Sequence, residues 1–317
     1  MKKSSRKLLK LAAFLSTAAG LMYMINRTIE NSALLKDKLH TEEDTFFEWK
    51  LGNIFYTKQG SGSPLLLIHD LTPYGSSYEW KSTVEAFAHT HTVYTIDLLG
   101  CGRSDKPNIT YTNFVYVQLI NDFIKNIIKE KTDIISIGLS TSLTVMSAAY
   151  TPDNFGKLIF INPTDLGQLQ QSPNHETKII KKLLELPLLG TCLYNTITGK
   201  GNLDLKFTEE YFYNPFHINR DLEDAYYEAS HKGRGNNRYL LASLDGRYIN
   251  MNIIPSLSNL SNPIYILGGK AQSNIKDILN SYQKYAPTAK TIIISQSKYL
   301  PHVENTEETL IELNKIL

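Results

Sequence analysis

Ser140 lies in a stretch whose residue types favour an exposed nucleophile: Ile134-Ile135-Ser136-Ile137-Gly138-Leu139-Ser140-Thr141-Ser142-Leu143-Thr144-Val145-Met146. Ile134 to Ile137 is a short β-branched apolar run, as expected of a strand covered on both faces. Gly138 permits a tight turn at low steric cost, and small and apolar residues with helical spacing follow from Ser140. A serine at the apex of such a strand–turn–helix elbow is presented at the carboxyl end of a sheet. The helix amides behind it can stabilise negative charge there. The chemistry this allows is acyl transfer. It needs a base to take the hydroxyl proton, a group to orient that base, and donors for the oxyanion. The fifth position of the G-x-S-x-G pattern is Ser142 instead of glycine, and the competing reading is a strand-to-helix turn with an incidental serine.

The elements around this elbow alternate. Phe46 to Lys50 and Asn53 to Lys58 are strand-like, with Gly52 between them as a hairpin signal. Pro64-Leu65-Leu66-Leu67-Ile68-His69-Asp70 is an apolar strand ending in polar residues, and Ser76 to Ala88 has helical character. Thr92 to Asp97 is a further strand, followed by the loop string Leu98-Leu99-Gly100-Cys101-Gly102-Arg103-Ser104-Asp105-Lys106-Pro107. Tyr116 to Lys129 reads as an amphipathic helix, and Lys157 to Asn162 as another strand. Strands alternating with helices predict an α/β fold, a mostly parallel sheet with helices on both faces.

With 317 residues, the chain can bury a large core, as one domain or as a core with an insertion. A hydrophobic fraction of 42% and a charged fraction of 20% are ordinary for a globular protein, and a net charge of +2 gives no argument for nucleic acid. Cys101 and Cys192 have no metal-site spacing. No cofactor or metal is called for. The N-terminus is different in kind. Lys2, Lys3, Arg6, Lys7 and Lys10 precede an uncharged apolar run from Leu11 to Ile25, which Leu8 and Leu9 extend. In a cleaved signal peptide, Ser16-x-Ala18 or Thr17-x-Ala19 would be the cut site, but Leu21-Met22-Tyr23-Met24-Ile25 still follows. The favoured reading is therefore a single-pass membrane anchor over residues 1–25. The basic flank is expected to stay in the cytoplasm, placing the globular part outside. Residues 26–45 are expected to be a linker or stalk.

From about residue 46 to its end, the sequence resembles the α/β-hydrolase superfamily. The likeness rests on Leu67-Ile68-His69-Asp70-Leu71, on Asp97 to Pro107, and on Gly138-Leu139-Ser140-Thr141-Ser142, in that order. It implies a hydrolase core over 46–163 and 261–317, with a helical cap inserted over 164–260. It further implies Ser140 as nucleophile, with the backbone amides of Leu71 and Thr141 as oxyanion donors. His69 is expected to support its loop. Asp70 stands beside the oxyanion site, where the family usually has glycine, and two catalytic positions depart from the family pattern as well. The usual acid position after strand seven holds Ala271, so Asp165, after strand six, is the substitute acid, with a helix N-cap as its alternative role. The usual base position holds Tyr299, so the base falls to His302. His217 and His231 lie in the insertion and are candidates to line its cavity. The implied activity is that of a membrane-anchored serine hydrolase, esterase- or lipase-like, acting on a small or apolar ester. The alternative is a catalytically inactive hydrolase fold used for binding or scaffolding at the membrane surface.

Overall fold

The computed structural model describes residues 3–42 and 45–317; of the basic flank, Lys2 lies outside the described residues. Eight strands form one sheet among the described residues. They are β1 (Thr45–Trp49), β2 (Gly52–Gln59), β3 (Ser63–Ile68), β4 (His91–Ile96), β5 (Thr132–Ile137), β6 (Phe155–Ile161), β7 (Ile264–Gly269) and β8 (Lys290–Ile294), in the order β1-β2-β4-β3-β5-β6-β7-β8. β1 and β2 pair antiparallel, β2 runs antiparallel to β4, and the remaining pairings are parallel.

The register brings the strand ends together. Ile68 pairs with Ser136, Ile137 with Ile161, and Ile161 with Leu267, so β3, β5, β6 and β7 release their chains at the same edge. Strand alternation divides the apolar residues between two faces. Leu66, Ile68, Ile134, Leu158, Phe160 and Ile266 pack into one core, while Leu65, Leu67, Ile135, Ile137, Ile159 and Leu267 pack into the other. Continuous apolar strands are the consequence of helices lying on both sides.

The helices of the first half are α1 (Lys3–Ala33), α2 (Lys81–Ala88), α3 (Asn113–Phe123) and α4 (Ser140–Tyr150). Between β6 and β7 the chain is helical, with α5 (Leu166–Leu169), α6 (His175–Glu185), α7 (Leu189–Ile197), α8 (Lys200–Lys206), α9 (Arg220–His231), α10 (Asn237–Asp245) and α11 (Ile254–Asn259). α12 (Ile275–Tyr285) follows β7, and α13 (Pro301–Glu304) and α14 (Thr306–Asn314) close the chain.

α1 is one unbroken helix. Its stretch Leu9–Ala33 is long and apolar enough to cross a membrane, a property that a signal sequence shares. Phe14 is 69% exposed and Ile25 57%, so no part of the body covers this end of the helix. Much of the stretch expected to be a linker, 26–45, lies against the body. Asn26, Glu30, Ala33 and Leu39 are buried against the body. Asn26 donates to the Leu188 carbonyl (3.3 Å) and accepts from Asn195 (3.1 Å). Lys36 pairs with Asp224 and Lys38 with Asp221, each at 2.6 Å. The segment is polar because it is bonded to the polar faces of α7 and α9, where solvated-linker chemistry and docking chemistry look alike in sequence.

Candidate active site

The turn after β5 decides the site. The strand ends at Ile137, the last residue paired with β6, so the sharp reversal falls on the next residue. Gly138 takes φ +58°, a left-handed conformation that costs glycine nothing and other residues roughly 1–2 kcal/mol. Leu139 is already helical (φ −66°, ψ −30°) and Ser140 opens α4. In a nucleophile elbow the reactive side chain sits on the strained residue of the turn. That residue here is Gly138, which has no side chain. Ser136-Ile137-Gly138-Leu139-Ser140 therefore fills the small-x-apex-x-small pattern, two residues upstream of the G-x-S-x-S reading.

Ser140 consequently lies behind the turn. It is fully buried, and its hydroxyl donates to the carbonyl of His69 at 2.6 Å, tying the start of α4 to the end of β3. His69 supports the same loop from within: its Nε2 accepts the Leu98 amide (3.0 Å) and its Nδ1 faces the Asp70 carbonyl (2.7 Å).

The space before Gly138 holds Asp70 and Tyr299. Tyr299 Oη donates to Asp70 Oδ2 at 2.6 Å, and the Leu139 amide donates to Asp70 Oδ1 at 2.9 Å. The Leu71 amide also faces this carboxylate and helps to lower its pKa. Leu139 follows the apex and Leu71 follows β3, which are the two places from which a hydrolase draws its oxyanion donors. Asp70 thus seats its own carboxylate on the amides that would otherwise receive a substrate oxyanion. Burial pushes its pKa up to about 6, against the lowering effect of the Tyr299 hydrogen bond, with the charge of Glu79 adding to the rise. Burial also raises the Tyr299 phenol well above its ordinary value, and the neighbouring Asp70 carboxylate raises it further, so the phenol stays protonated and donates. Tyr299 is held in place by stacking on Tyr211 (5.3 Å, 17° between planes) and by Asn162, whose Nδ2 bonds the carbonyls of Lys298 (2.9 Å) and Tyr299 (2.8 Å).

The remaining expected site residues are placed elsewhere. His302 is buried behind the site, its ring 4.4 Å from that of Trp80 and its Nε2 3.6 Å from Glu79 Oε1; neither ring nitrogen has a hydrogen bond. Asp165 caps α5 by accepting the Gln168 amide at 3.0 Å, although it borders the same cavity as Tyr299. The Thr141 amide is used inside the turn, donating to the Gly138 carbonyl. The structure therefore does not gather Ser140, His302 and Asp165 into one constellation, nor Leu71 and Thr141 into one hole. The neighbours it does gather are Gly138, Asp70, Tyr299, Leu71 and Leu139. The signal in the sequence was paired: Asp70 and Tyr299 are both departures from the family pattern, and they are bonded to each other.

A cavity of about 1400 Å³ opens over this pair. Its floor is Asp70, Leu71, Leu139 and Tyr299, and the insertion contributes Ile197, Leu205, Tyr211, Leu241 and Leu244 to its walls. The loop of Asp97 to Pro107 braces the structure nearby. The Arg103 guanidinium bonds Asp97 (2.8 Å) and lies over the Phe55 ring (3.7 Å). Burial alone would raise the Asp97 carboxyl, but Arg103 holds it well below the usual carboxylate range.

The alpha/beta hydrolase fold family matches residues 63–184, and the chain has the α/β-hydrolase fold. An uncharacterized protein of Mycobacterium tuberculosis is 27% identical over 129 residues, which are 41% of this chain and 35% of that protein. A 2-hydroxy-6-oxo-6-(2'-aminophenyl)hexa-2,4-dienoic acid hydrolase of Metapseudomonas resinovorans is 34% identical over 71 residues, 22% of this chain and 24% of that enzyme. The chain thus matches about a third or less of the length of these curated relatives. Among solved structures, a membrane phospholipase A described as a bacterial virulence factor is similar in fold, with a TM-score of 0.67 and 20% identity over 98% of this chain and 97% of its own.

Proposed function

We propose that this protein is a membrane-anchored, non-hydrolytic member of its superfamily that binds a small molecule with an apolar body in the cavity above Asp70 and Tyr299. The observation that carries this reading is the apex of the elbow. Gly138 offers no nucleophile, and the carboxylate of Asp70 occupies the amides of Leu71 and Leu139. An ester carbonyl entering the cavity would find neither an attacking group nor free oxyanion donors, the two contributions acyl transfer depends on most. The cavity itself argues for retained binding. It is large enough for a drug-sized ligand, and its walls mix aliphatic and aromatic side chains with charged ones, Lys206, Glu209, Glu210, Asp245 and Asp277 among them, a lining that suits an amphiphile. The helical insertion over 164–260 acts as the cap that selects it. α1 serves as the anchor, with the body extracytoplasmic under the positive-inside rule.

The hydrolase-like relatives and the G-x-S-x-S string support the other reading, in which Ser140 is the nucleophile, and one experiment separates the two. The full chain is exposed to a fluorophosphonate probe alongside Ser140→Ala. No labelling of either is expected. Labelling of the native chain that disappears in Ser140→Ala would sink the proposal.

A further inference from the structure

A second cleft, of about 670 Å³, lies away from the first, where α1 meets the body. Its cationic and imidazole lining comes from three separate segments: Arg27 on α1, Arg103 and Lys106 on the loop after β4, and His231, Lys232 and Arg234 at the end of α9. The two acids that border it are already engaged. Glu30 pairs with Arg27 at 2.8 Å, and Asp105 accepts the Asn53 amide at 2.7 Å. Some of the cations are engaged as well: Arg103 by Asp97, and Lys106, which is buried, by the carbonyls of Gly102 (2.7 Å) and Ser104 (2.9 Å). Arg103 is neutralised by Asp97, so the fixed charge of this wall is that of Lys106, which only carbonyls engage. Lys232, 3.7 Å from Glu228 and half-buried, and Arg234, exposed, are the cations at the rim. His231 is 2% exposed; its Nδ1 faces the Tyr227 carbonyl at 2.9 Å, while its Nε2 is buried with no partner. A buried, unpaired ring nitrogen in a cationic cleft is a polar group left without a match, and such groups cost stability unless a ligand supplies one.

The position of the cleft identifies the ligand. The apolar run of α1 ends at Ile25. At 1.5 Å per helical residue, Arg27 lies about 3 Å and Asn31 about 9 Å beyond it along the helix. The headgroup layer on each side of a bilayer is roughly 5–8 Å deep, so Arg27 falls within it and Asn31 lies at its outer edge.

We infer that this cleft binds an anionic phospholipid headgroup, with Arg234 and Lys232 contacting the phosphate oxygens; because Nδ1 gives its hydrogen to the Tyr227 carbonyl, His231 Nε2 is an acceptor and takes a headgroup hydroxyl. The inference rests on α1 being a membrane anchor. It is independent of what the larger cavity binds. Arg and Lys supply charge-assisted bonds that a neutral or zwitterionic headgroup satisfies less well.

The test uses the full chain in non-ionic detergent micelles, titrated with phosphatidylglycerol, phosphatidylcholine or inorganic phosphate, with bound lipid counted by native mass spectrometry. One phosphatidylglycerol per chain is expected, with phosphatidylcholine at least about tenfold weaker. Lys232→Gln/Arg234→Gln is expected to lose about tenfold or more in phosphatidylglycerol affinity, with an unchanged unfolding midpoint in the absence of lipid. His231→Gln provides an independent arm with the same direction. Equal retention of the two lipids, or undiminished binding by both variants, overturns the inference. Inorganic phosphate that competes as tightly as the lipid also overturns it, in favour of a soluble anion. Fractionation of cells expressing the chain separates the two failures: recovery of the intact chain in the soluble fraction overturns the anchor itself, whereas membrane recovery without lipid selectivity overturns only the cleft.

Discussion

Putting a serine back at the apex should break the site, not restore it. A Cβ at Gly138 would fall inside the contact distance of Tyr299 Oη and of the Asp70 carboxylate. The residue would also have to hold φ +58°. Left-handed backbone costs roughly 1–2 kcal/mol for a residue with a side chain, and overpacking of a buried site costs roughly 1–3 kcal/mol. Displacing Tyr299 from Asp70 forfeits a charge-assisted hydrogen bond of about 1.5–3 kcal/mol. Gly138→Ser is therefore expected to destabilise the fold by about 3.5–8 kcal/mol, a large share of a typical domain's stability. In the Asp70→Gly/Tyr299→Phe background the clash and the hydrogen bond are both gone, and only the backbone cost of about 1–2 kcal/mol remains. Urea unfolding of the four chains in detergent, followed by tryptophan fluorescence, gives the coupling as a double-mutant cycle. A cost of less than about 1 kcal/mol for Gly138→Ser in the native background, or the same cost in both backgrounds, would refute the placement of Gly138 at the apex facing this pair.

Other outcomes follow from the same geometry. The Asp70 carboxyl has a folded pKa of about 6 against an ordinary value of 3.8, so the native state holds a proton that the unfolded chain releases between those values. Stability should fall as pH rises from about 4 to 6 and level off above, by about 3 kcal/mol in total; Asp70→Asn should flatten that stretch of the curve in pH-dependent unfolding. Ser140→Ala removes the bond to the His69 carbonyl and should cost about 1 kcal/mol in urea unfolding, with no change in ligand binding at the cavity. Asp165→Ala should cost about 1 kcal/mol as the loss of a helix cap, again measured by unfolding, with fluorophosphonate reactivity unchanged. Arg103→Met leaves the buried Asp97 carboxylate unpaired and should cost about 3–5 kcal/mol, visible as a large drop in melting temperature.

The fold was legible because its signals are redundant. The apolar runs of β3, β5, β6 and β7 are each unmistakable, and the Asp97 to Pro107 loop fixes the order around them. The elbow was legible in kind but not in register. Gly138-Leu139-Ser140 spells the motif, yet the apolar run ends at Ile137, and a turn must follow its strand directly. The choice between Gly138 and Ser140 as apex depends on one backbone angle, which residue spelling does not encode. The Asp70–Tyr299 pair was hidden for a different reason. The two residues are 229 positions apart, and each alone looks like a loss. Only their contact makes them a replacement.

The unbroken run of α1 into its bonds with α7 and α9 has a mechanical meaning. A domain on a flexible tether swivels and samples many heights above a bilayer. Here the Asn26–Asn195 bond and the Lys36 and Lys38 ion pairs leave no swivel. On the proposed anchoring, the rod is bolted to α7, whose last residue, Ile197, lines the larger cavity. With α1 in a bilayer, the cavity mouth keeps one bearing and one elevation relative to the lipid, and any tilt of the rod is felt directly in the cavity wall.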